Sequence, residues 1–132
     1  MRINNYLSVC MFQLKVQLDC NSQYEYLIET DEVLNQIESA FQIIEKYTPD
    51  IIMFPEMTYL ERYDETYQKL SISRILVAGS YYKSGINTTV IFSDGVKHEI
   101  PKFYASGAEP MARKISFQHP SEFLQNLLLN CN

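Results

Sequence analysis

Residues 50–56 read Asp-Ile-Ile-Met-Phe-Pro-Glu, a short apolar run between one turn residue and a proline. Proline has no backbone N–H to donate to a sheet, so the run predicts a strand over residues 51–54 that ends at Pro55. An acidic side chain, Glu56, follows directly. The stretch therefore predicts a central strand with a carboxylate just beyond its carboxyl end.

The residues before this strand predict a strand and a helix. Residues 6–16 (YLSVCMFQLKV) are rich in strand formers without strict alternation, which predicts a first strand buried on both faces. Residues 19–30 carry loop signals. Apolar residues then recur every three or four positions and predict an amphipathic helix that begins near Asp31 and ends at Thr48-Pro49. Strand, helix and strand with a short link predict two parallel strands.

The residues that directly follow Glu56 predict one helix and three strands. The helix is expected over residues 58–70 and is followed by a strand over residues 74–82. Strands over residues 87–92 and 96–100 should form a hairpin, because Asp94-Gly95 favours a two-residue turn. We also expect a last helix from Ser121. Together these elements predict a single α/β domain over residues 1–132.

Composition and charge argue against several classes of function. Eleven Lys and Arg against sixteen Asp and Glu give a net charge of −5, so neither nucleic acid nor a membrane is an expected partner. No apolar run approaches the ~20 residues that cross a bilayer, and a cytoplasmic location is expected. Cys10, Cys20 and Cys131 lack metal-ligand spacing, which predicts reduced thiols and no metal or other cofactor.

Two charged residues at strand ends are candidates for chemistry. Glu56 follows a buried strand, at the place where open α/β sheets build ligand crevices, and partial desolvation there would suit a general base. The alternative is a loop residue that caps the next helix. Lys102 follows the last predicted strand, where it is either solvated or, beside a carboxylate, able to stabilise an oxyanion.

The order of several short motifs resembles that of the nitrilase superfamily of carbon–nitrogen hydrolases, over roughly residues 6–110. The matching stretches are Cys10-Met11-Phe12-Gln13, Phe54-Pro55-Glu56, Val77-Ala78-Gly79-Ser80, Asn87, Asp94-Gly95 and Lys102. The resemblance implies the four-layer αββα sandwich of that family, of which this chain would hold the N-terminal half. It also implies a Glu, a Lys and a Cys that act together on an amide or nitrile.

By this resemblance Glu56 is the base and Lys102 is the oxyanion stabiliser. The nucleophile does not match, because the family's Cys lies on a strand after the Lys and precedes an acidic residue. Cys131 is the one Cys after Lys102 in the sequence, but its apolar neighbours have helical spacing and Asn132 replaces the acid. The nucleophile is therefore expected to be missing or supplied elsewhere.

Three interpretations follow for the function. The first is a nitrilase-like hydrolase for a small-molecule amide or nitrile, working as a homo-oligomer or with a complementing chain. The alternative is a non-catalytic nitrilase-like binding or assembly module. The third is a generic α/β fragment in which Glu56 and Lys102 never meet. We assign no role to His98 or His119, and expect the Tyr59, Tyr63, Tyr67 stripe to be packing.

Overall fold

A computed structural model describes residues 6–102 of the chain. In chain order, the elements are β1 (Val9–Met11), β2 (Leu18–Cys20), β3 (Glu25–Leu27), α1 (Asp31–Tyr47), β4 (Ile51–Met53), a 3₁₀ turn (Glu61–Tyr63), α2 (Asp64–Leu70), β5 (Ile75–Lys83), β6 (Ile86–Ser93) and β7 (Val96–Pro101). The expected last helix from Ser121, with His119 and Cys131, lies outside the described residues. No helix of the described part is long and apolar enough to cross a membrane.

Within residues 6–102, the main sheet is mixed and has five strands in the order β1-β4-β5-β6-β7. Strands β1, β4 and β5 are parallel, whereas β5, β6 and β7 pair antiparallel. The predicted parallel pair is confirmed, with Cys10 beside Ile52, and so is the hairpin at Asp94-Gly95. Both turn residues have positive φ, as this tight turn requires. The domain is therefore of mixed α/β class.

Helix α1 forms where the sequence predicts it. The Thr30 hydroxyl accepts a hydrogen bond from the Val33 N–H, and two acidic residues follow at the positive end of the helix. The helix ends at Tyr47, because Thr48 takes a left-handed conformation before the proline. The buried face of the helix consists of Val33, Ile37, Ala40, Phe41 and Ile44.

The core lies between the two helices and one face of the main sheet. Ile52, Leu76 and Phe92 project from neighbouring strands into it and are fully buried. Tyr67 of α2 packs among aromatic rings, with its ring centroid 5.5 Å from that of Phe41 and 5.4 Å from that of Phe92. Tyr59 is also buried, and the Tyr63 ring lies 5.2 Å from that of Phe41, so the predicted tyrosine stripe is part of the packing, although only Tyr67 lies in α2.

The first strand differs from its prediction. It spans three residues and lies at the edge of the sheet formed by the described residues, and Val9 and Met11 are exposed rather than buried on both faces. The chain then leaves the sheet, and the Phe12 ring packs against Phe54 at 5.0 Å. The expected loop over residues 19–30 contains the antiparallel β2–β3 hairpin. The apolar residues at 12, 14 and 16 therefore belong to a covering segment and not to a long strand.

Helix α2 begins six residues later than the sequence predicts. Thr58 donates its hydroxyl hydrogen to the Pro55 carbonyl, and the Tyr59 N–H bonds the Ser80 carbonyl. Leu60 has extended backbone angles, so the helix cannot start before the 3₁₀ turn. These residues form a connection that holds the end of β4 against β5.

Candidate functional site

The sheet topology brings three polar positions to one edge. Strand β7 runs parallel to β4, because two antiparallel pairings separate it from β5. Glu56 follows the carboxyl end of β4 and Lys102 follows the carboxyl end of β7, while Asn87 stands at the start of the oppositely directed β6. Carboxyl ends of parallel strands are the usual place for a ligand crevice.

These three residues line one crevice of about 230 Å³, together with Thr89, Ile100 and Pro101. The backbone N–H of Lys102 donates to the Asn87 carbonyl at 2.9 Å, which continues the β6–β7 pairing to this residue. Lys102 is half-buried, whereas Glu56 is exposed. The sequence predicts a partly desolvated carboxylate, and the structure places Glu56 among the exposed residues of the described part of the chain.

The loop that carries Glu56 is held in place by β5. The next residue, Met57, has a left-handed backbone with φ of 63°, and its N–H donates to the Ser80 hydroxyl at 2.9 Å. Thr58 closes the turn with its 2.6 Å hydrogen bond to the Pro55 carbonyl. Both Thr58 and Ser80 are buried, so these bonds are shielded from water. The backbone on the carboxyl side of Glu56 is thus fixed by buried hydrogen bonds.

Gly79 makes this attachment possible. The pairing of β5 with β6 shifts register between Val77 and Gly79, and Gly79 has φ of +102°. A Cβ built on it would lie 2.6 Å from the Pro55 carbonyl oxygen and 2.8 Å from the Thr58 hydroxyl oxygen. Only glycine fits, both for its backbone angle and for its space. The Gly-Ser pair in the motif therefore has a physical role beside Glu56.

Neither described cysteine belongs to the crevice. Cys10 is half-buried in β1, not fully buried as the sequence suggests, and Cys20 is exposed in the β2–β3 hairpin. Neither lines the crevice of Glu56 and Lys102. Cys131 lies outside the described residues. The described crevice thus offers a carboxylate and an ammonium group without a thiol.

A charged network on the helix side of β7 was not predicted from the sequence. Lys97 donates to Asp64 at 2.7 Å and lies 3.6 Å from Glu99, and the Tyr59 hydroxyl donates to the same Asp64. Burial lowers the pKa of Lys97, but the Asp64 hydrogen bond and the two carboxylate charges outweigh it and leave the pKa raised. Tyr81 donates to Glu99. These contacts join the start of α2 to β7, which is a structural role.

No protein-family model matches the chain, and neither a curated protein nor a solved structure matches it significantly. The structure by itself shows a mixed α/β domain with an acidic and a basic side chain at the carboxyl edge of its sheet. The resemblance to the nitrilase superfamily rests on the motifs alone.

Proposed function

We propose that the chain is part of a nitrilase-like hydrolase that cleaves a carbon–nitrogen bond of a small amide or nitrile. The crevice shared by Glu56 and Lys102 is the observation that supports this function. The two residues are 46 positions apart, 102 minus 56, and come together only through the strand order. A general base beside a cation is the pair that acyl transfer by a thiol needs.

In an amide reaction, Glu56 takes the thiol proton and the thiolate adds to the carbonyl carbon. The ammonium group of Lys102 stabilises the negative charge on the oxygen. The carbon–nitrogen bond then breaks, Glu56 returns the proton to the departing amine, and water hydrolyses the thioester to a carboxylic acid and the free thiol. The thiol comes from outside the described residues, from Cys131 or from a complementing chain.

The proposed architecture is half of an αββα sandwich. In such a sandwich two sheets pack face to face, and helices cover their outer faces. The described helices both cover one face of the sheet, while the opposite face leaves Val9, Met11 and Met53 exposed. A second sheet, from another copy of the chain or from a complementing chain, would cover that apolar face.

A non-catalytic assembly module is the second candidate. The position of the described cysteines favours it, because neither Cys10 nor Cys20 lines the crevice. In such a module the open sheet face would bind a partner, and Glu56 and Lys102 would be polar residues of the crevice without a reaction. The two candidates share the assembly and differ in the chemistry.

The hydrolase is tested on the native assembly, purified by a tag on this chain from the cells that produce it. Ammonia release from a panel of small carboxamides and nitriles is measured for Glu56→Gln and Lys102→Met. Loss of a general base or of an oxyanion-stabilising group each lowers the rate by about 10²-fold or more, so both variants should be nearly inactive. The isolated 132-residue chain should show no measurable hydrolysis.

Glu65→Gln and Lys69→Met are matched controls, since these residues form an exposed ion pair on α2 away from the crevice. They should leave the rate unchanged. An assembly that hydrolyses none of the compounds, or that retains full activity in Glu56→Gln, would contradict the hydrolase and favour the assembly module. Strong activity of the isolated chain that disappears in Cys131→Ala would identify Cys131 as the nucleophile.

A further inference from the structure

Five of the ten tyrosines line a second cavity of about 270 Å³, on the side of the Glu56 loop where Met57 lies. The five are Tyr24, Tyr26, Tyr59, Tyr81 and Tyr82. Tyr24 and Tyr26 come from the β2–β3 hairpin, whereas Tyr81 and Tyr82 come from the end of β5. The β2–β3 hairpin, which lies in a stretch with loop signals, therefore forms one wall of this cavity, which we call the tyrosine pocket.

The rings of the tyrosine pocket pack against one another at different angles. Tyr24 is stacked on Tyr82 with 6.0 Å between ring centroids, and it meets Tyr26 edge-on at 6.3 Å and 70°. Tyr59 and Tyr81 lie 4.9 Å apart with their planes tilted by 53°. Packing of this kind fixes the ring directions without a ligand, so the pocket is preformed.

Hydrogen bonds hold the outer ends of three of these rings. The hydroxyls of Tyr26, Tyr59 and Tyr81 donate to Asp19, Asp64 and Glu99, respectively. Burial, followed by the bond to Glu99, raises the pKa of Tyr81 to about 12, and the charge of Asp19 raises the pKa of Tyr26. The phenols are therefore neutral near pH 7 and offer ring faces instead of phenolate oxygens.

The charge of the tyrosine pocket has one sign. Its two charged lining residues are Glu25 and Glu29, and none of the lysines, arginines or histidines within residues 6–102 lines it. The face of a tyrosine ring carries negative potential, which attracts a cation within about 6 Å of the ring centre. Rings and carboxylates together favour a cation and disfavour an anion.

Two basic residues lie near the tyrosine pocket and already have acidic partners. Lys97 lies 5.1 Å from the centre of the Tyr59 ring and is paired with Asp64 and Glu99. Arg62 lies 3.4 Å from Glu29, in a pair whose side chains are about half exposed. Such an exposed pair is weak, so a ligand cation can compete with Arg62 for Glu29.

We propose that the tyrosine pocket binds a small organic cation with a quaternary or alkylated ammonium head group. The head group would lie against the tyrosine rings, with Glu25 and Glu29 balancing its charge. Aromatic pockets recognise this group because its positive charge is diffuse and its alkyl groups are apolar. Both features bind water weakly, so the group is easily desolvated. The cavity volume suits such a head group and not a large ligand.

The test compares choline with its neutral isostere 3,3-dimethylbutan-1-ol, which has the same shape without the charge. The chain has no Trp, so its intrinsic fluorescence comes from its ten tyrosines, of which five line the pocket. We expect choline and tetramethylammonium to give a saturable change, and the neutral alcohol to bind at least about tenfold more weakly. Calorimetric titration of the same ligands checks the fluorescence result.

Tyr24→Leu removes a ring face while it keeps an apolar side chain, and should weaken choline binding at least about fivefold. Glu29→Gln should weaken choline binding and leave binding of the neutral alcohol unchanged. Tyr47→Leu and Glu65→Gln are controls at exposed positions outside the pocket and should change nothing. If Tyr24→Leu fails to fold, as judged by circular dichroism, Glu29→Gln carries the test.

Equal binding of choline and the neutral alcohol would overturn the proposal, since the charge would then contribute nothing. Absence of saturable choline binding, or an equal loss in the Glu65→Gln control, would overturn it as well. None of these outcomes depends on hydrolysis at Glu56 and Lys102, so failure here is distinct from failure of the proposed hydrolase.

Discussion

The two faces of the five-stranded sheet differ in how the chain covers them. On the helix side, Ile52 and Leu76 are completely buried beneath α1 and α2. On the opposite face, Met11 is 73% exposed and Met53 is 37% exposed, although both are apolar. In the middle of this face Ile91 on β6 is only 8% exposed, whereas Val96 at the start of β7 is again 56% exposed. The largest set of neighbouring exposed apolar side chains on this face lies on β1 and β4.

The difference between the two faces indicates which part of the domain is stabilised by its own packing and which part exposes apolar side chains that another chain could bury. Removal of apolar surface from water supplies most of the stabilisation of the helix side. Exposed apolar side chains in a contiguous patch are typical of surfaces that contact another chain. The open patch of Val9, Met11 and Met53 is thus the expected contact surface, and the helix side is the expected source of stability.

The largest predicted effect on stability compares two neighbouring positions of β4, one on each face of the sheet. Ile52→Ala leaves a cavity in the core and should lower the free energy of unfolding by about 2–5 kcal/mol. Met53→Ala lies on the open face and should cost less than about 1 kcal/mol. Urea denaturation followed by circular dichroism measures both. If Ile52→Ala does not fold, Ile52→Val should still lose about 0.5–1.5 kcal/mol. Equal losses at 52 and 53 would break the distinction between the faces.

The second effect concerns Gly79, where the bulge of β5 meets the Glu56 loop. Gly79→Ala forces a side chain to within 2.6 Å of the Pro55 carbonyl oxygen at a positive φ. We expect a loss of about 2–3 kcal/mol, from backbone strain and displacement of the loop. Gly95→Ala is the comparison, since Gly95 also has a positive φ, of 79°, but its Cβ would meet the movable end of the Ile72 side chain at 3.0 Å. A smaller loss at 79 than at 95 in urea denaturation would refute the proposed attachment of the loop.

A third prediction concerns an unsatisfied polar group on the helix side of the sheet, whose removal should stabilise the fold. Among the described residues, the Tyr67 hydroxyl is buried and has no hydrogen-bond partner. Burial raises the pKa of Tyr67, so the hydroxyl stays protonated and its donor stays unsatisfied. Tyr67→Phe removes the unpaired group and keeps the ring, which should raise the free energy of unfolding by about 1 kcal/mol. A loss of stability in thermal and urea unfolding would show that the hydroxyl is satisfied in the folded protein.

The smallest effect is a pH dependence from Glu99 on the helix side of β7. The hydrogen bond from Lys83, and then the one from Tyr81, hold the pKa of Glu99 below its usual value. A lowered carboxyl pKa stabilises the fold above the unfolded value of about 4.3, and this stabilisation disappears as the pH falls through the folded value. The wild type should thus lose more stability than Glu99→Gln between about pH 6 and pH 3, by less than about 1 kcal/mol. Parallel curves in urea unfolding would contradict this.

The elements whose periodicity or turn chemistry is local were predictable from the sequence. The sequence signals for both ends of helix α1 are local: Thr30 caps its start, and Thr48 before Pro49 ends it. The signal for the last hairpin is the Asp94-Gly95 turn itself. The start of α2 was not predictable, because Thr58 and Tyr59 bond to distant parts of the chain at Pro55 and Ser80. Tertiary contacts there override the local helical pattern.

The β2–β3 hairpin was missed because its turn looks like any polar loop. The Asn21 side chain accepts hydrogen bonds from the N–H groups of Gln23 and Tyr24, which is a local turn signal. The alternation of Tyr24 and Tyr26 around Glu25 is the one strand signal in this stretch. The pocket it forms with β5 depends on distant packing, so no local pattern predicts it.

The position of Glu56 and Lys102 at one edge of the sheet was predictable because it follows from strand direction. Both residues come after strands that point the same way, and the hairpin between Ser93 and Val96 sets that direction for β7. The exposure of Glu56 was not predictable, since it depends on what closes the crevice above it. The strand order determines at which edge of the sheet a residue lies, whereas its burial depends on all the other residues that pack around it.

The size of the chain in solution tests most directly whether the open patch of Val9, Met11 and Met53 binds a partner, because an exposed apolar patch favours association. Light scattering after size-exclusion chromatography should give at least a dimer for the wild type. The double variant Met11→Glu/Met53→Glu should be a folded monomer. Ile43→Glu, an exposed apolar position on α1, should keep the wild-type size. A wild-type monomer at every concentration, or dissociation by Ile43→Glu to the same degree, would contradict the account.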